Sequence, residues 1–378
     1  LAEWENQYLG VLPEKTEPWE GPYARDTQIL TREGWQKIDG VSVGTHVLTR
    51  NDETTALEWA PILATPSGWV DEMYHFKSKS MDLLVSPEHQ MVVETREGLL
   101  RRMSAKHLWY TTNQWIPWSG RWEGTSPPEL FGKSSGDVAE LIGWFLAEGC
   151  AVRNSKTGKP GSLVISQSQQ ANPQNCAHLE ALLTRLGWSW RAHKNGCGYT
   201  LHTRTMPKDF VAMLREQGRC EEKHVPAQCF EWSPKILSRL LEGLIRGDGT
   251  RRVREGRKDA VTFYTSSPHL ADDFQTLAVL VGKRSRLRVR DRRGYPVACK
   301  NPGVTRLLSY EVSLGHKRRA KVDRAKHAIV PYHDLAFCVV VRNHSVFVRR
   351  NGVVTISGNC ANFHVPLTML GVETLKPR

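Results

Sequence analysis

The sequence predicts a β-rich module that is interrupted by an α/β insert and resumed near the end of the chain. Short β-rich runs separated by glycines occupy residues 26–93, and similar runs return after residue 330. Between residues 138 and 318, helical segments alternate with strands and strongly basic loops. A loop-like stretch at 122–136 separates the two textures. We therefore expect two modules, one of them built from both ends of the chain.

Each predicted element has its own local signal. Strand composition is found at 27–31, 45–49, 83–86, 337–341, 345–348 and 353–356. Helical patterns are found at 138–146, 177–186 and 234–245. These strand-like runs thus lie on both sides of the part that contains the helical patterns.

Composition excludes several classes of protein. Hydrophobic residues make up 40% and charged residues 24% of the 378 residues, which is not the composition of a disordered or fibrous chain. No apolar run approaches the roughly 20 residues of a membrane helix, so we expect no membrane partner. The formal net charge of +13 favours a polyanionic partner, most plausibly nucleic acid. The eight cysteines form no C-x-x-C pair and are interpreted as reduced thiols of a cytoplasmic protein.

One pattern occurs twice, at 141–149 and at 241–249, and each copy ends in an acidic residue followed by glycine. Small residues recur four apart in each copy, at Gly143 and Ala147 and at Gly243 and Gly247. Residues four apart share a helix face, and small side chains there allow two helix backbones to approach closely. We expect the two helices to pack side by side.

That packing would bring Glu148 and Asp248 together at one end of the helix pair. Two carboxylates in one site form a plausible cradle for Mg²⁺, which activates water and stabilises a leaving oxygen in phosphodiester cleavage. Gly149 and Gly249 are expected to end the helices in left-handed caps. The alternative is a pair of ordinary buried helices with capping glycines.

The doubled pattern in a basic insert resembles the LAGLIDADG homing endonucleases. The resemblance implies two pseudo-symmetric α+β halves, a β-saddle in the major groove of double-stranded DNA, and Glu148 and Asp248 as metal-binding acids. Lys223-His-Val-Pro resembles the Lys-x-x-Pro block of the family, which makes Lys223 a candidate base or charge stabiliser. A solvated surface lysine is the alternative. Residues 265–275 resemble a helix of the second half.

Basic residues cluster after the second acid. The segment 283–293 carries seven basic residues and one acidic residue, and arginines also follow Asp248 closely. Such residues supply phosphate contacts and salt-dependent affinity. The candidate DNA-binding residues are Arg251, Arg252, Lys283, Arg286, Arg288 and Arg290. A solvated basic face is the alternative for any one of them.

The flanking β-rich parts carry a second set of motifs. These are Tyr23–Thr31 with Gly44–Thr49, Ser86-Pro-Glu-His89, Phe337–Val341, Asn343–Val348 and Asn351–Asn359 followed by Cys360. In this order they resemble the conserved blocks of inteins, with Ser86 in place of a threonine. The resemblance implies an all-β horseshoe, the Hint fold, interrupted by the endonuclease. It also implies that the chain acts as a monomer on flanking exteins in cis, without a cofactor for splicing.

The implied chemistry gives each motif a role. A thiol attacks the carbonyl at the upstream junction, and His89 protonates the leaving nitrogen, because imidazole moves protons near neutral pH. The acyl group passes to Cys360, Asn359 cyclises, and an S-to-N shift joins Gly21 to Cys360.

The first intein residue departs from the common pattern. It is Pro22, which has no nucleophile, and Cys338 stands where an aspartate is usual. This combination resembles class 3 inteins, in which the internal cysteine attacks first and forms a branched thioester. Thr355 also matches that class, whereas Met91 stands in place of its tryptophan. A designed replacement of the first residue is the alternative explanation of Pro22.

The resemblance also implies how the chain is divided and which residue assists the last step. His344 is a candidate for assisting Asn359, since Gly358 replaces the usual histidine. The expected segments are 1–21 (N-extein), 22–130 and 326–359 (splicing domain), 131–325 (endonuclease) and 360–378 (C-extein). The joined flanks faintly resemble a bacteriophage portal protein.

Other interpretations account for fewer of these motifs. A free-standing endonuclease leaves the junction motifs unexplained, and a hedgehog-like autoprocessing domain needs neither Asn359 nor the insert. A decayed endonuclease is disfavoured because both acids are present. Out of context, Cys338 would be a small core residue, His89 a turn residue, and Asn359 with Cys360 an ordinary loop pair.

Overall fold

The computed structural model describes residues 21–153, 160–296, 304–315, 319–322 and 327–359. The flanking segments 1–20 and 360–378, and with them Cys360, lie outside the described residues. The expected boundary between positions 325 and 326 also lies outside them. The described chain is rich in β-sheet, and its longer helices all lie between positions 135 and 280.

Up to residue 117 the chain forms short strands and a short helix. The strands are β1 (Tyr23–Ala24), β2 (Gln28–Thr31), β3 (Gly34–Lys37), β4 (His46–Arg50), β5 (Leu57–Pro61), β6 (Ser67–Ser78), β7 (Met81–Val85), β8 (Gln90–Glu94), β9 (Leu100–Ser104) and β10 (Trp115–Pro117). Helix α1 spans Ala105–Tyr110, and a 3₁₀ turn spans Ile38–Gly40. The expectation of an all-β N-terminal part is wrong at α1. The Ser104 side chain starts this helix by accepting a hydrogen bond from the backbone N–H of His107 at 3.1 Å.

The middle of the chain contains the longer helices. Its elements are β11 (Glu129–Leu130), β12 (Lys133–Ser134), α2 (Ser135–Glu148), β13 (Gly149–Arg153), β14 (Pro160–Ile165), α3 (Pro173–Leu186), β15 (Trp190–Ala192), β16 (Tyr199–Leu201), α4 (Lys208–Arg215), α5 (Pro234–Asp248), β17 (Gly249–Arg254), β18 (Arg257–Thr265), α6 (Pro268–Leu280), β19 (Arg284–Arg290) and β20 (Ser309–Gly315). Short 3₁₀ turns cover Thr203–Thr205 and Ala227–Glu231. The stretch expected to be a loop contains the β11–β12 hairpin.

Local signals fix the ends of the helices in this part. Pro268 stands in the first turn of α6, and the Ser267 hydroxyl accepts a hydrogen bond from the N–H of Leu270 at 3.1 Å. Helix α3 also begins with a proline and ends at Gly187, whose φ of +66° is the left-handed conformation that glycine adopts without strain. Residues at their own ends therefore explain where α3 and α6 begin and where α3 ends.

The last four strands of the described chain share sheets with strands of its first part. They are β21 (Arg319–Lys321), β22 (His327–Phe337), β23 (Ser345–Arg350) and β24 (Val353–Gly358). Strands β1, β22, β6 and β7 close into a small barrel, and β23 pairs with β2 so that Ile29 lies opposite Val348. The two ends of the described chain are thus held in common sheets.

The sheets also connect the middle of the chain to its ends. Strand β19 pairs with β24, which places β17, β18, β20 and β19 in one ten-stranded sheet with β24, β23, β2, β3, β4 and β5. Strands β13, β14, β16 and β15 form a separate sheet, as do β21, β10, β8 and β9. Within the described ranges, no helix is both long and apolar enough to cross a membrane.

Candidate active sites

Helices α2 and α5 touch backbone to backbone through their glycines. A Cβ atom added to Gly143 would lie 2.2 Å from the carbonyl oxygen of Leu240, and one added to Gly243 would lie 2.2 Å from that of Glu140. Real Cβ atoms do not approach this closely, so only glycine permits the contact. The expected packing of the two small-residue faces is present.

The ends of these helices differ from the sequence expectation in their conformation. Gly149 and Gly249 do not form left-handed caps, because their φ angles of −88° and −111° are extended. Strands β13 and β17 begin at these glycines, so the chain passes directly from helix into strand. Glycine is needed there because an added Cβ would lie within 2.5 Å of the preceding helical turn, at the carbonyl oxygens of Phe145 and Ile245.

Glu148 and Asp248, the last residues of α2 and α5, form one electrostatic site. Burial and the nearby Asp248 raise the pKa of Glu148 to about 7, although Lys223 opposes the change. Burial also raises the pKa of Asp248 to about 6. The Lys223 ammonium interacts electrostatically with both acids and donates hydrogen bonds to two carbonyl oxygens of α2, those of Phe145 at 3.2 Å and Ala147 at 3.1 Å.

The two acids suit a divalent cation. Carboxylate oxygens are the ligands that Mg²⁺ prefers, and a dication would stabilise the charged form of both acids, which burial disfavours. Across the described residues, no group of three or more His, Cys, Asp or Glu side chains is placed to hold a metal ion. Glu148 and Asp248 would therefore share such an ion with oxygens from outside this set.

The basic residues are divided between two faces of the sheet. Arg286, Arg288 and Arg290 lie two apart along β19 and share one face. Ser285, the residue before Arg286, is on the opposite face, where it is buried and accepts a hydrogen bond from Gln275 of α6 at 3.2 Å. Arg288 and Arg290 are exposed.

Arg251 and Arg252 are separated in the same way. Arg251 lies opposite the buried Val261, on the helix side of the sheet, and forms an ion pair with Glu242 of α5. Arg252 is exposed on the other face, and Lys283 is exposed in the turn before β19. The expected DNA-binding set therefore does not lie on one surface.

At the expected upstream junction, the His89 side chain contacts both Gly21 and Ser357. The imidazole is fully buried, with Nδ1 2.6 Å from the carbonyl oxygen of Gly21 and Nε2 2.8 Å from Oγ of Ser357. Burial lowers the pKa of His89 to about 4, so the ring is neutral at pH 7. Since a carbonyl oxygen only accepts, Nδ1 carries the proton and donates to Gly21, and the Ser357 hydroxyl donates to Nε2.

The residues after the junction are also held in place. Gly21 and Pro22 are buried, and the N–H of Ser86 donates to the carbonyl oxygen of Pro22 at 3.1 Å. The Ser86 hydroxyl is buried and has no hydrogen-bond partner among the described residues. Ser86 thus contacts the junction through its backbone, which explains why serine and threonine both fit this position.

Cys338 follows directly on the strand that pairs with the junction. Tyr23 lies opposite Phe337 and Ala24 opposite Ala336, so a continued register would place Cys338 opposite Pro22. The thiol is 1% exposed and donates to the carbonyl oxygen of Val339 at 3.5 Å. The strand expected at 337–341 ends at Phe337, and only an isolated bridge follows, between Val340 and Ala64.

The downstream junction is fixed by backbone contacts. The N–H of Asn359 donates to the carbonyl oxygen of His344 at 3.2 Å, and Nδ2 donates to that of Val341 at 3.4 Å. Oδ1 of Asn359 is buried without a partner in the described part of the chain. The imidazole of His344 is exposed, so the structure brings its carbonyl group, not its ring, to Asn359.

Gly358 occupies a position where a side chain does not fit. An added Cβ would lie 2.0 Å from the carbonyl oxygen of Gln90. The hydroxyl of Tyr23 donates to the carbonyl oxygen of Gly358, and the Tyr23 ring lies edge-on to His89 with centroids 4.5 Å apart. Tyr23 therefore links the upstream residues to the residue before Asn359.

Sequence reasoning missed Ser357 and the role of the Tyr23 hydroxyl. A signal for Ser357 was present, because Thr355 and Ser357 alternate with Val354 and Ile356 in a fully buried strand. Residues two apart in a strand share one face, so two polar residues there indicate that this face makes polar contacts. The Thr355 hydroxyl has no hydrogen-bond partner among the described residues.

With this geometry established, comparison with known proteins identifies part of the chain. Residues 236–321 match the family model described as a LAGLIDADG-like domain. This part of the chain is similar to LAGLIDADG-like domains. The matched range contains Asp248, whereas Glu148 lies upstream of it.

Several solved structures are similar to parts of the chain. A splice-inactive variant of the AceL NrdHF class 3 split intein is 22% identical, covers 26% of this chain and 64% of its own, and has a TM-score of 0.25. An intein-like domain from Clostridium thermocellum is 20% identical over 26% of this chain and 66% of its own, with a TM-score of 0.23. A variant of I-DmoI bound to its target DNA in the presence of magnesium is 13% identical over 48% of this chain and 89% of its own, with a TM-score of 0.31.

Two curated proteins are also similar. The C-terminal section of the DNA-directed RNA polymerase subunit beta of Stigeoclonium helveticum is 22% identical, over 93% of this chain and 37% of that protein. The ATP-dependent Clp protease proteolytic subunit of Chlamydomonas moewusii is 21% identical, over 70% of this chain and 28% of that protein. The chain thus spans about a third of the length of these relatives.

Proposed function

We propose that residues 22–359 excise themselves and join Gly21 to Cys360, and that residues 131–325 cleave double-stranded DNA. The observation that carries the splicing proposal is the buried connection between the two junctions. Gly21 contacts His89, His89 contacts Ser357, and Asn359 follows two residues later on the same chain segment. A catalytic imidazole placed between two cleavage points has a direct use in splicing.

The first step would be attack on Gly21 by an internal thiol. Sγ of Cys338 adds to the Gly21 carbonyl carbon, the bond to the Pro22 nitrogen breaks, and that nitrogen takes up the thiol proton. His89 donates from Nδ1 to the carbonyl oxygen, which stabilises the negative charge of the tetrahedral intermediate. This contact supports a role at the oxygen, in addition to the proton transfer to nitrogen expected from the sequence.

The later steps would release the segment. The acyl group passes from Cys338 to the thiol of Cys360, giving a branched thioester. Nδ2 of Asn359 then attacks its own carbonyl carbon, the bond to Cys360 breaks, and a C-terminal succinimide forms. The S-to-N shift leaves a peptide bond between Gly21 and Cys360. Because the chemistry needs a free thiol, it favours the reducing cytoplasm.

The second activity is supported by the paired acids and by the LAGLIDADG-like domain. A Mg²⁺ ion held by Glu148 and Asp248 would supply activation of water and stabilisation of the leaving oxygen. Arg252, Arg286 and Arg288 would contact DNA phosphates from the exposed side of the sheet. Lys223 would be held at the end of α2 and add positive charge near the acids.

Mass spectrometry of the full chain and of its Cys338→Ala variant tests the splicing proposal. Under reducing conditions, the parent should give an excised species ending at Asn359 and a product joining Gly21 to Cys360. Cys338→Ala should abolish upstream cleavage, whereas the control Cys229→Ala, which also removes a buried thiol, should splice like the parent. Splicing by Cys338→Ala would show that another group attacks first.

A further inference from the structure

Ser357 is placed to control the imidazole at the upstream junction. Its hydroxyl lies 2.8 Å from Nε2 of His89, and both side chains are fully buried. We propose that Ser357 is a positioning residue for upstream cleavage: it donates to Nε2 and thereby keeps the imidazole proton on Nδ1, aimed at the carbonyl oxygen of Gly21. This inference rests on the splicing function proposed above.

The geometry requires one tautomer. A neutral imidazole has a single N–H, and the contact of 2.6 Å between Nδ1 and the Gly21 oxygen is favourable only when that N–H is on Nδ1. The other tautomer would set two lone pairs against each other at this distance. Nε2 then needs a donor, and the partner that the described residues provide is Ser357.

The surrounding contacts hold the ring but do not choose the tautomer. The Tyr23 ring packs edge-on to the imidazole, and the N–H of Ala105 donates to the backbone carbonyl of His89 at 2.8 Å. Both contacts would be the same for either position of the proton. The Nδ1–H tautomer therefore depends on an acceptor at Nδ1, which is the Gly21 carbonyl oxygen, and on a donor at Nε2, which Ser357 supplies.

A comparison within β24 separates this role from simple packing. Thr355, two residues earlier on the same face, carries a fully buried hydroxyl that has no partner in the described part of the chain. The strand therefore accommodates a buried hydroxyl for which the described residues provide no hydrogen-bond partner. The Ser357 hydroxyl, in contrast, is directed at the imidazole ring of His89.

Nitrogen NMR of histidine-labelled chain tests the tautomer directly. In a Cys338→Ala, Asn359→Ala background that blocks processing, His89 should show its N–H at Nδ1, with the resonance assigned from its loss in His89→Gln. Ser357→Thr should keep that signature, and Ser357→Ala should move the proton partly or fully to Nε2. Ser345→Ala, which removes a buried hydroxyl bonded to the Arg50 carbonyl, should leave it unchanged.

Kinetics in the processing-competent chain provide the second readout. Partners that fix a histidine tautomer at metal centres contribute about 10- to 100-fold, so Ser357→Ala should slow upstream cleavage by about that factor. Ser357→Thr should restore the rate. An unchanged Nδ1–H signature in Ser357→Ala would overturn the proposal. If the parent chain does not splice, the proposed function fails, while the tautomer measurement still decides the role of Ser357.

Discussion

The two candidate sites use burial in opposite ways. At the splicing junction, burial lowers the pKa of His89, and both ring nitrogens are bonded within the chain. At the helix ends, burial raises the pKa values of Glu148 and Asp248, two groups of the same charge. At the first site, hydrogen bonds to both ring nitrogens orient a neutral group. The second concentrates negative charge and favours a cation, so the two should fail in different ways when altered.

The largest expected effect is a clean separation of the two activities. Asp248→Asn removes one of the two carboxylates and should reduce DNA cleavage on the order of 10³-fold, without changing the yield of spliced product. DNA cleavage is measured on a plasmid that carries the DNA sequence encoding the joined flanks. Mass spectrometry of the same protein preparation measures the yield of spliced product.

The control for this separation is Glu242→Gln. Glu242 lies on the same helix as Asp248 but pairs with Arg246 and Arg251 instead of facing the acid pair. It should cleave DNA like the parent. A loss of splicing in Asp248→Asn would mean that the two sites are coupled.

The second effect is a dependence of stability on pH that comes from His89. Its folded-state pKa of about 4 lies below the unfolded value near 6.5, so the unfolded chain binds the extra proton first. The corresponding stability is complete above about pH 6.5 and is lost as the pH falls toward 4, by about 3 kcal/mol. Urea unfolding of a splice-blocked chain at pH 7 and pH 4 measures the loss.

The control is His89→Gln in the same splice-blocked chain. It keeps a donor for Gly21 but does not titrate, so its stability should fall less on acidification. Glu148 and Asp248, whose raised pKa values act in the opposite direction, are common to both chains and cancel in the difference. Equal losses in the two chains would contradict the lowered pKa of His89.

A smaller effect is expected at the helix contact. Gly143→Ala places a methyl group 2.2 Å from the carbonyl oxygen of Leu240, so the helices must separate, at a cost of about 1–3 kcal/mol. In an exposed helix the same change would be stabilising. DNA cleavage should fall and splicing persist. Gly40→Ala, which meets nothing within 4 Å, is the matched control, and equal thermal stability of the two variants would disprove the close contact.

The smallest effect concerns DNA affinity. Arg288→Ala, on the exposed face of β19, should reduce the slope of log affinity against log salt by about 1. Arg251→Ala should leave the slope unchanged, because Arg251 pairs with Glu242 on the helix side. Binding measured at several salt concentrations gives both slopes. A larger change for Arg251 would reverse the assignment of the two faces.

Local patterns in the sequence predicted α2, α3 and α5 and the small-residue contact between α2 and α5, because a periodicity of four residues directly encodes a helix face. Helices α1 and α4 were not predicted. The conformations of Gly149 and Gly249 were predicted wrongly, since acid-Gly at a helix end is equally compatible with direct entry into a strand. The face occupied by Arg251 depends on its register with Val261, which one sequence does not reveal.

The sequence motifs named candidate residues for the expected junctions but not the contacts between them. The order of the motifs singled out His89 and Asn359, yet the partner of His89 is Ser357, 268 positions away. The exposed imidazole of His344 shows the same limit, because the backbone conformation around it, with φ of +52°, directs its carbonyl group to Asn359. The contact of His89 with Ser357 joins parts of the chain that are distant in the sequence, whereas that of the His344 carbonyl group with Asn359 continues the pairing of β23 with β24.

The hydrogen bond from Tyr23 to Gly358 connects two residues that both belong to the segment proposed to leave. Cutting before Pro22 and after Asn359 would not break it, and the pairing of β1 with β7 and of β23 with β24 would also survive. The released segment would therefore keep its two new ends side by side, nearly a closed ring without a covalent joint. Linking those ends with a short peptide and opening the chain at an exposed turn should then give a circularly permuted protein with the same fold.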